Sequence, residues 1–144
     1  MRDVSHTDGR TKEVWVDADV LLRLLTGDPP ALARKSLALV RRAEEGELRL
    51  RLSPLVVGEL METLISFYGY GRERAAEAVL PLVTAKGVRA EEERIVVAAL
   101  RHVAREEVDF ADAYLAEEAR AHQQAVASFD EGFGRLEVER VSPG

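Results

Sequence analysis

Short β-prone runs alternate with amphipathic helical stretches along almost the whole chain, and this alternation constrains the fold more than any other feature. Val14-Trp15-Val16 reads as a strand. Asp17-Ala18-Asp19 then opens a helix on the apolar stripe Val20, Leu21, Leu24 and Leu25, which stops at Thr26-Gly27-Asp28-Pro29-Pro30. A second helix is expected over 31–45. Leu48, Leu50 and Leu52 alternate with Arg49 and Arg51, the period of a strand exposed on one face, which points to a place near a sheet edge. Ser53-Pro54 offers an N-cap with proline at the first helical position. A helix over 55–68 and another over 72–85 follow, joined as a hairpin through Gly69-Tyr70-Gly71. A brief strand at 87–90, helices over 91–105 and 109–123, and strands at 125–129 and 136–141 complete the pattern. Strands separated by helices in this order are joined by right-handed crossovers. The class is therefore α/β, a central parallel sheet of about five strands flanked by helices on both faces.

A chain of 144 residues makes one domain. Residues 1–13 are polar and unperiodic and are expected to be a flexible lead-in, with 14–144 forming the folded unit. Charges interrupt every apolar run before it reaches the ~18 residues a membrane helix needs, and the first residues lack the apolar core of a signal peptide. A cytoplasmic protein with no membrane partner is expected. The absence of cysteine excludes a disulfide scaffold, a thiol nucleophile and a thiolate zinc site. A net charge of -6 excludes a broad basic face for coating nucleic acid. It leaves room for a nuclease, in which acids hold a cation and the cation presents positive charge to phosphates.

Ligands of an open parallel sheet bind beyond the carboxyl ends of its strands, and here the residues at those ends are acids. Asp17 follows the first strand, Glu59 lies in the early turns of the helix after the second, and Asp130 follows the strand at 125–129. Asp112 sits in the first turn of its helix, within reach of the same rim. Each has a plain structural role as well: Asp17 and Asp19 as caps, Glu59 as a solvated helix residue, Asp109 with Asp112 as N-cap and first-turn acid, Asp130 as a turn residue. Their joint placement favours a site. Such a cluster repels itself, a divalent cation relieves the repulsion, and hard oxygen donors select Mg2+ or Mn2+. His6, His102 and His122 share no ligand spacing and read as exposed, and neither a serine-nucleophile elbow nor a phosphate-binding P-loop is present.

Four segments carry a resemblance to a known family. VWVDADVLLRLLTGDPP, SPLVVGELMETL, VDFADAYLAEEA and ASFDEGFGRL occur in the order of the sequence blocks of PIN domains, and the chain from about Val14 to Val141 is similar to the small VapC-like ribonuclease toxins among them. The resemblance implies a metal-dependent endoribonuclease with Asp17, Glu59, Asp112 and Asp130 as metal-holding catalytic acids. Asp19, Asp109 and Ser128 would be accessory residues. One or two Mg2+ or Mn2+ ions would activate water against RNA phosphodiester bonds, and Arg23 and Arg135 are candidates to meet the phosphates. Asp19 stands where the family commonly has Asn, adding one negative charge. The resemblance also implies a homodimer and a small antitoxin partner with a basic C-terminal segment. The apolar residues of the hairpin at 55–85, among them Leu60, Leu64, Phe67, Tyr68, Val79, Leu80, Leu82 and Val83, exceed what one small core covers and suit an interface.

Two rivals remain at this stage. Val16-Asp17-Ala18-Asp19-Val20 also resembles the opening motif of haloacid dehalogenase-like phosphatases, with Asp17 as nucleophile, Asp19 as acid and Lys86 as a phosphate-binding lysine. That reading leaves Glu59 and Asp112 without roles. A PIN-like scaffold that only binds a partner has no need of all four acids.

Overall fold

The computed structural model describes residues 11–144. The elements run β1 (Lys12–Trp15), α1 (Ala18–Thr26), α2 (Pro30–Glu44), β2 (Leu48–Leu52), α3 (Pro54–Ser66), α4 (Arg72–Val83), β3 (Val88–Ala90), α5 (Glu93–Glu106), α6 (Phe110–Ala121), β4 (Val126–Ala127), a 3-10 helix (Glu131–Leu136) and β5 (Arg140–Val141). Most of the lead-in expected at 1–13 lies outside the described residues. Its end is corrected: Lys12 and Glu13 already pair with Leu48 and Arg49 in a parallel ladder, so the folded unit starts two residues earlier.

The single sheet of about five strands is also corrected. β1, β2 and β3 form a three-stranded parallel sheet in that spatial order, and β4 and β5 form a separate parallel pair. The last segment falls short of a long strand because the 3-10 helix takes up 131–136 and ends at Glu137 with a left-handed φ of 60°. Only Arg140–Val141 is left to pair, and it receives the N–H of Ser128 on the Val141 carbonyl, while Glu139 receives that of Val126. β2 is the central strand rather than an edge. Its Leu48, Leu50 and Leu52 are buried in the core, and the alternate face is balanced by acids from its neighbours. Arg51 bonds Glu13 at 2.7 Å and Glu91 at 2.6 Å and lies 4.6 Å from the centre of the Trp15 ring. That face carries Glu13, Trp15, Arg49, Arg51 and Arg89 in place of the helix-facing apolar surface expected on both sides.

Helix starts follow their local chemistry. Asp17 accepts the N–H of Val20 at 3.1 Å to cap α1, and Ser53 accepts that of Leu55 at 3.1 Å ahead of Pro54 to cap α3. Leu60, Leu64, Val79 and Val83 of the α3–α4 hairpin are fully buried in the chain's own core with Leu50, Val96, Leu100 and Val103. The uncovered remainder of the hairpin is Leu55 and Phe67, 80% and 78% exposed.

Candidate functional site

Asp17 and Glu59 follow the carboxyl ends of β1 and β2 in the three-stranded parallel sheet, and Asp130 follows β4 of the separate pair. Asp17 caps α1 just past β1. Glu59 is exposed on the second turn of α3, after β2. Asp130 lies three residues past the end of β4 and caps the 3-10 helix. Asp19 and Glu59 line one small cavity of about 200 Å³ together with Ala18, Leu22, Leu60 and Thr63. Glu59 also borders a groove of about 810 Å³ between α3 and α6, which it shares with Asp109. Asp112 is half-buried, and its carboxyl is held above the usual carboxylate range by that burial first and then by the negative charges of Asp109 and Asp130. The acids therefore form a connected run from Asp19 through Glu59 to Asp109, Asp112 and Asp130.

Their present partners divide them. Asp17 and Asp130 each accept a backbone N–H, that of Val20 at 3.1 Å and that of Gly132 at 2.7 Å. Ser128 accepts the Asp130 N–H at 2.9 Å and so fixes the turn on which Asp130 stands. Asp19 pairs with Arg23 at 2.9 Å, and Asp109 with Arg72 at 2.6 Å. Asp109 occupies the N-cap position of α6 yet makes no side-chain cap, because its carboxylate is turned to Arg72. Glu59 and Asp112 have no hydrogen-bonding or ionic partner for their carboxylates among the described residues. As the side chains stand, no three His, Cys, Asp or Glu residues among the described ones are gathered closely enough to hold a metal ion. The donor chemistry nevertheless fits a hard divalent cation, since every candidate donor is a carboxylate or hydroxyl oxygen and the repulsion at Asp112 is of the kind a cation removes.

The arginines fall out differently from the expectation that Arg23 and Arg135 both face phosphate. Arg23 is committed to Asp19, to the Asp28 carbonyl at 3.0 Å and to the Tyr68 hydroxyl at 3.5 Å. Arg135 is exposed and makes no ion pair among the described residues. Arg72 is the neighbour of the site that no sequence pattern marks, because 37 residues separate it from Asp109. His102 is corrected as well: it is mostly buried, 2.6 Å from Glu117, and ties α5 to α6.

Lys86 precedes β3 and so lies at the amino end of the sheet, a strand's length from Asp17 at the carboxyl end. The phosphatase arrangement needs these two side chains on one phosphate, and the topology holds them apart.

No helix among the described residues is long and apolar enough to cross a membrane. A search of curated proteins finds no match to the chain. A family model described as the PIN domain matches residues 14–139.

Proposed function

The chain belongs to the PIN-domain family, a family of metal-dependent nucleases, and from that premise we propose that it is an endoribonuclease. Asp17, Glu59, Asp112 and Asp130 are its metal-holding catalytic acids, for Mg2+ or Mn2+, with Asp19, Asp109 and Ser128 assisting. The observation that carries this reading is the run of carboxylates from Asp19 through Glu59 to Asp109 and on to Asp112, whose carboxyl is raised by burial first and then by the charges of Asp109 and Asp130.

Bound there, a divalent cation supplies an acidified water and a positive charge against the phosphate oxygens. The chain's own part is positional and electrostatic. Glu59 and Asp112 offer carboxylates without a hydrogen-bonding or ionic partner among the described residues. Asp17 and Asp130 each spend one oxygen on a backbone N–H, and their second oxygens would be available to hold a cation. Ser128 holds the Asp130 turn, and Arg72 offsets the charge of Asp109 so that less repulsion reaches Asp112.

The finer proposal is a toxin of the VapC-like kind, cytoplasmic and homodimeric, held inactive by a small antitoxin with a basic C-terminal segment. The α3–α6 groove supports it. Leu55, Phe110, Tyr114 and Leu115 line the groove together with the acids Glu59, Glu62 and Asp109, which suits an amphipathic basic segment.

Two substitutions test the nuclease reading against the phosphatase. Glu59→Gln is expected to reduce metal-dependent RNA cleavage by roughly tenfold to a hundredfold, and Lys86→Ala to leave it unchanged. Neither should affect hydrolysis of a small phosphomonoester, which this protein should not support. Monoester hydrolysis that disappears in Lys86→Ala would overturn the proposal.

A further inference from the structure

Phe129 is the most exposed large apolar side chain among the described residues, at 85%. It sits directly before Asp130, on a turn held at several points. Ser128 donates its N–H to the Val141 carbonyl at 3.1 Å and accepts the Arg140 guanidinium on its own carbonyl at 2.7 Å. The Ser128 hydroxyl oxygen accepts the Asp130 N–H at 2.9 Å, and Asp130 Oδ1 accepts the Gly132 N–H at 2.7 Å. Both neighbours of Phe129 are thus pinned, and the ring is presented to solvent from a fixed backbone.

Arg135 shares this turn. A side chain at Gly132 would place its Cβ 3.0 Å from Asp130 Oδ1 and 3.3 Å from Arg135 Nη2, so carboxylate and guanidinium both lie over that glycine. The turn therefore holds an exposed aromatic ring, an arginine without an ion pair among the described residues and one of the candidate acids. Phe129 is flanked in the chain by Ser128, Asp130 and Glu131, and Arg140 binds the Ser128 carbonyl, whereas a protein-docking surface is built on contiguous apolar area. An exposed aromatic ring and a cation on one turn are the pair of groups that hold single-stranded nucleic acid, with a base on the ring and a phosphate on the arginine.

We propose that Phe129 is a base-stacking platform for single-stranded RNA and that Arg135 takes a phosphate of the same strand, next to Asp130. The proposal rests on the nuclease reading and specifies how the substrate strand enters that site. Stacking needs a π face and tolerates every base, so the platform sets where the strand lies and leaves sequence choice to other contacts.

The test compares wild type with Phe129→Ala, Phe129→Leu, Phe129→Trp and Arg135→Ala on a short fluorescent single-stranded RNA. Binding is read by anisotropy in EDTA, and KM is read with Mg2+. Phe129→Ala and Phe129→Leu are expected to weaken binding or raise KM roughly tenfold, with melting temperatures unchanged because the ring is exposed. Phe129→Trp should restore affinity, and its added fluorescence should be quenched by RNA beyond any change at Trp15. Arg135→Ala should reduce the slope of log affinity against log salt by about 0.7. A Phe129→Leu variant equal to wild type would show that apolarity suffices and overturn stacking. Unchanged RNA binding in Phe129→Ala, with weakened self-association or protein inhibition, would assign the ring to a protein contact instead. A wild-type protein that neither binds nor cuts RNA would sink the nuclease reading itself, which is a different outcome from loss of the platform alone.

Discussion

Asp112→Asn is expected to reduce metal-dependent RNA cleavage by roughly a hundredfold or more while leaving the metal-free protein at least as stable as wild type. The two effects have opposite signs for one reason. Burial and the charges of Asp109 and Asp130 make an ionised Asp112 unfavourable in the folded state and hold its carboxyl above the usual range. A group raised in this way favours the folded protein only while it is protonated, and that advantage is lost as pH rises through its folded-state value. At neutral pH the carboxylate therefore opposes folding, and a neutral amide of similar shape removes the opposition. The same charge is what attracts a cation, and the amide removes that too. Melting curves across pH should converge for variant and wild type in acid and separate in favour of the variant towards neutrality, measured in EDTA. Cleavage by the variant at the wild-type rate would remove Asp112 from the site.

The second large effect is on folding. Gly87, in the turn before β3, has φ +87°, and a Cβ there would stand 2.5 Å from the carbonyl oxygen of Ala43 and 2.8 Å from its Cβ. Ala43 is a buried residue of α2, and the Gly87 carbonyl accepts the N–H of Leu50 at 2.9 Å in the central strand. Neither side can yield without loosening α2 or breaking that hydrogen bond. Gly87→Ala should cost roughly 3–5 kcal/mol from left-handed strain and backbone overlap together. That corresponds to a fall in Tm of about 10–20 °C. Gly69 is the control: its φ is +74° but nothing lies within 4 Å of a Cβ. Gly69→Ala should cost only about 1–2 kcal/mol, the left-handed strain alone. Equal melting temperatures for the two variants would contradict the close packing of α2 on the turn before β3.

What was legible in the sequence is what depends on neighbours along the chain. Asp17 and Ser53-Pro54 cap their helices as their positions predict. What was not legible depends on residues far apart. Arg49 and Arg51 look like a solvent face because nothing local shows that Glu13 and Glu91, the latter 40 residues from Arg51, complete a central strand. The pairing of Asp109 with Arg72 and of His102 with Glu117 is hidden for the same reason, as each joins different helices. The last two strands were overestimated because Leu136 and Val138, both buried, satisfy strand periodicity while belonging to the 3-10 helix and the loop after it.

The run of acids means most if it makes RNA cleavage depend on a divalent cation. The direct measurement is cleavage of a single-stranded RNA by the purified protein in EDTA, followed by titration with Mg2+ or Mn2+. The expected result is no cleavage in EDTA and a saturable rise with either ion, absent in Asp112→Asn. Cleavage that persists unchanged in excess EDTA would contradict a site built from Asp17, Glu59, Asp112 and Asp130.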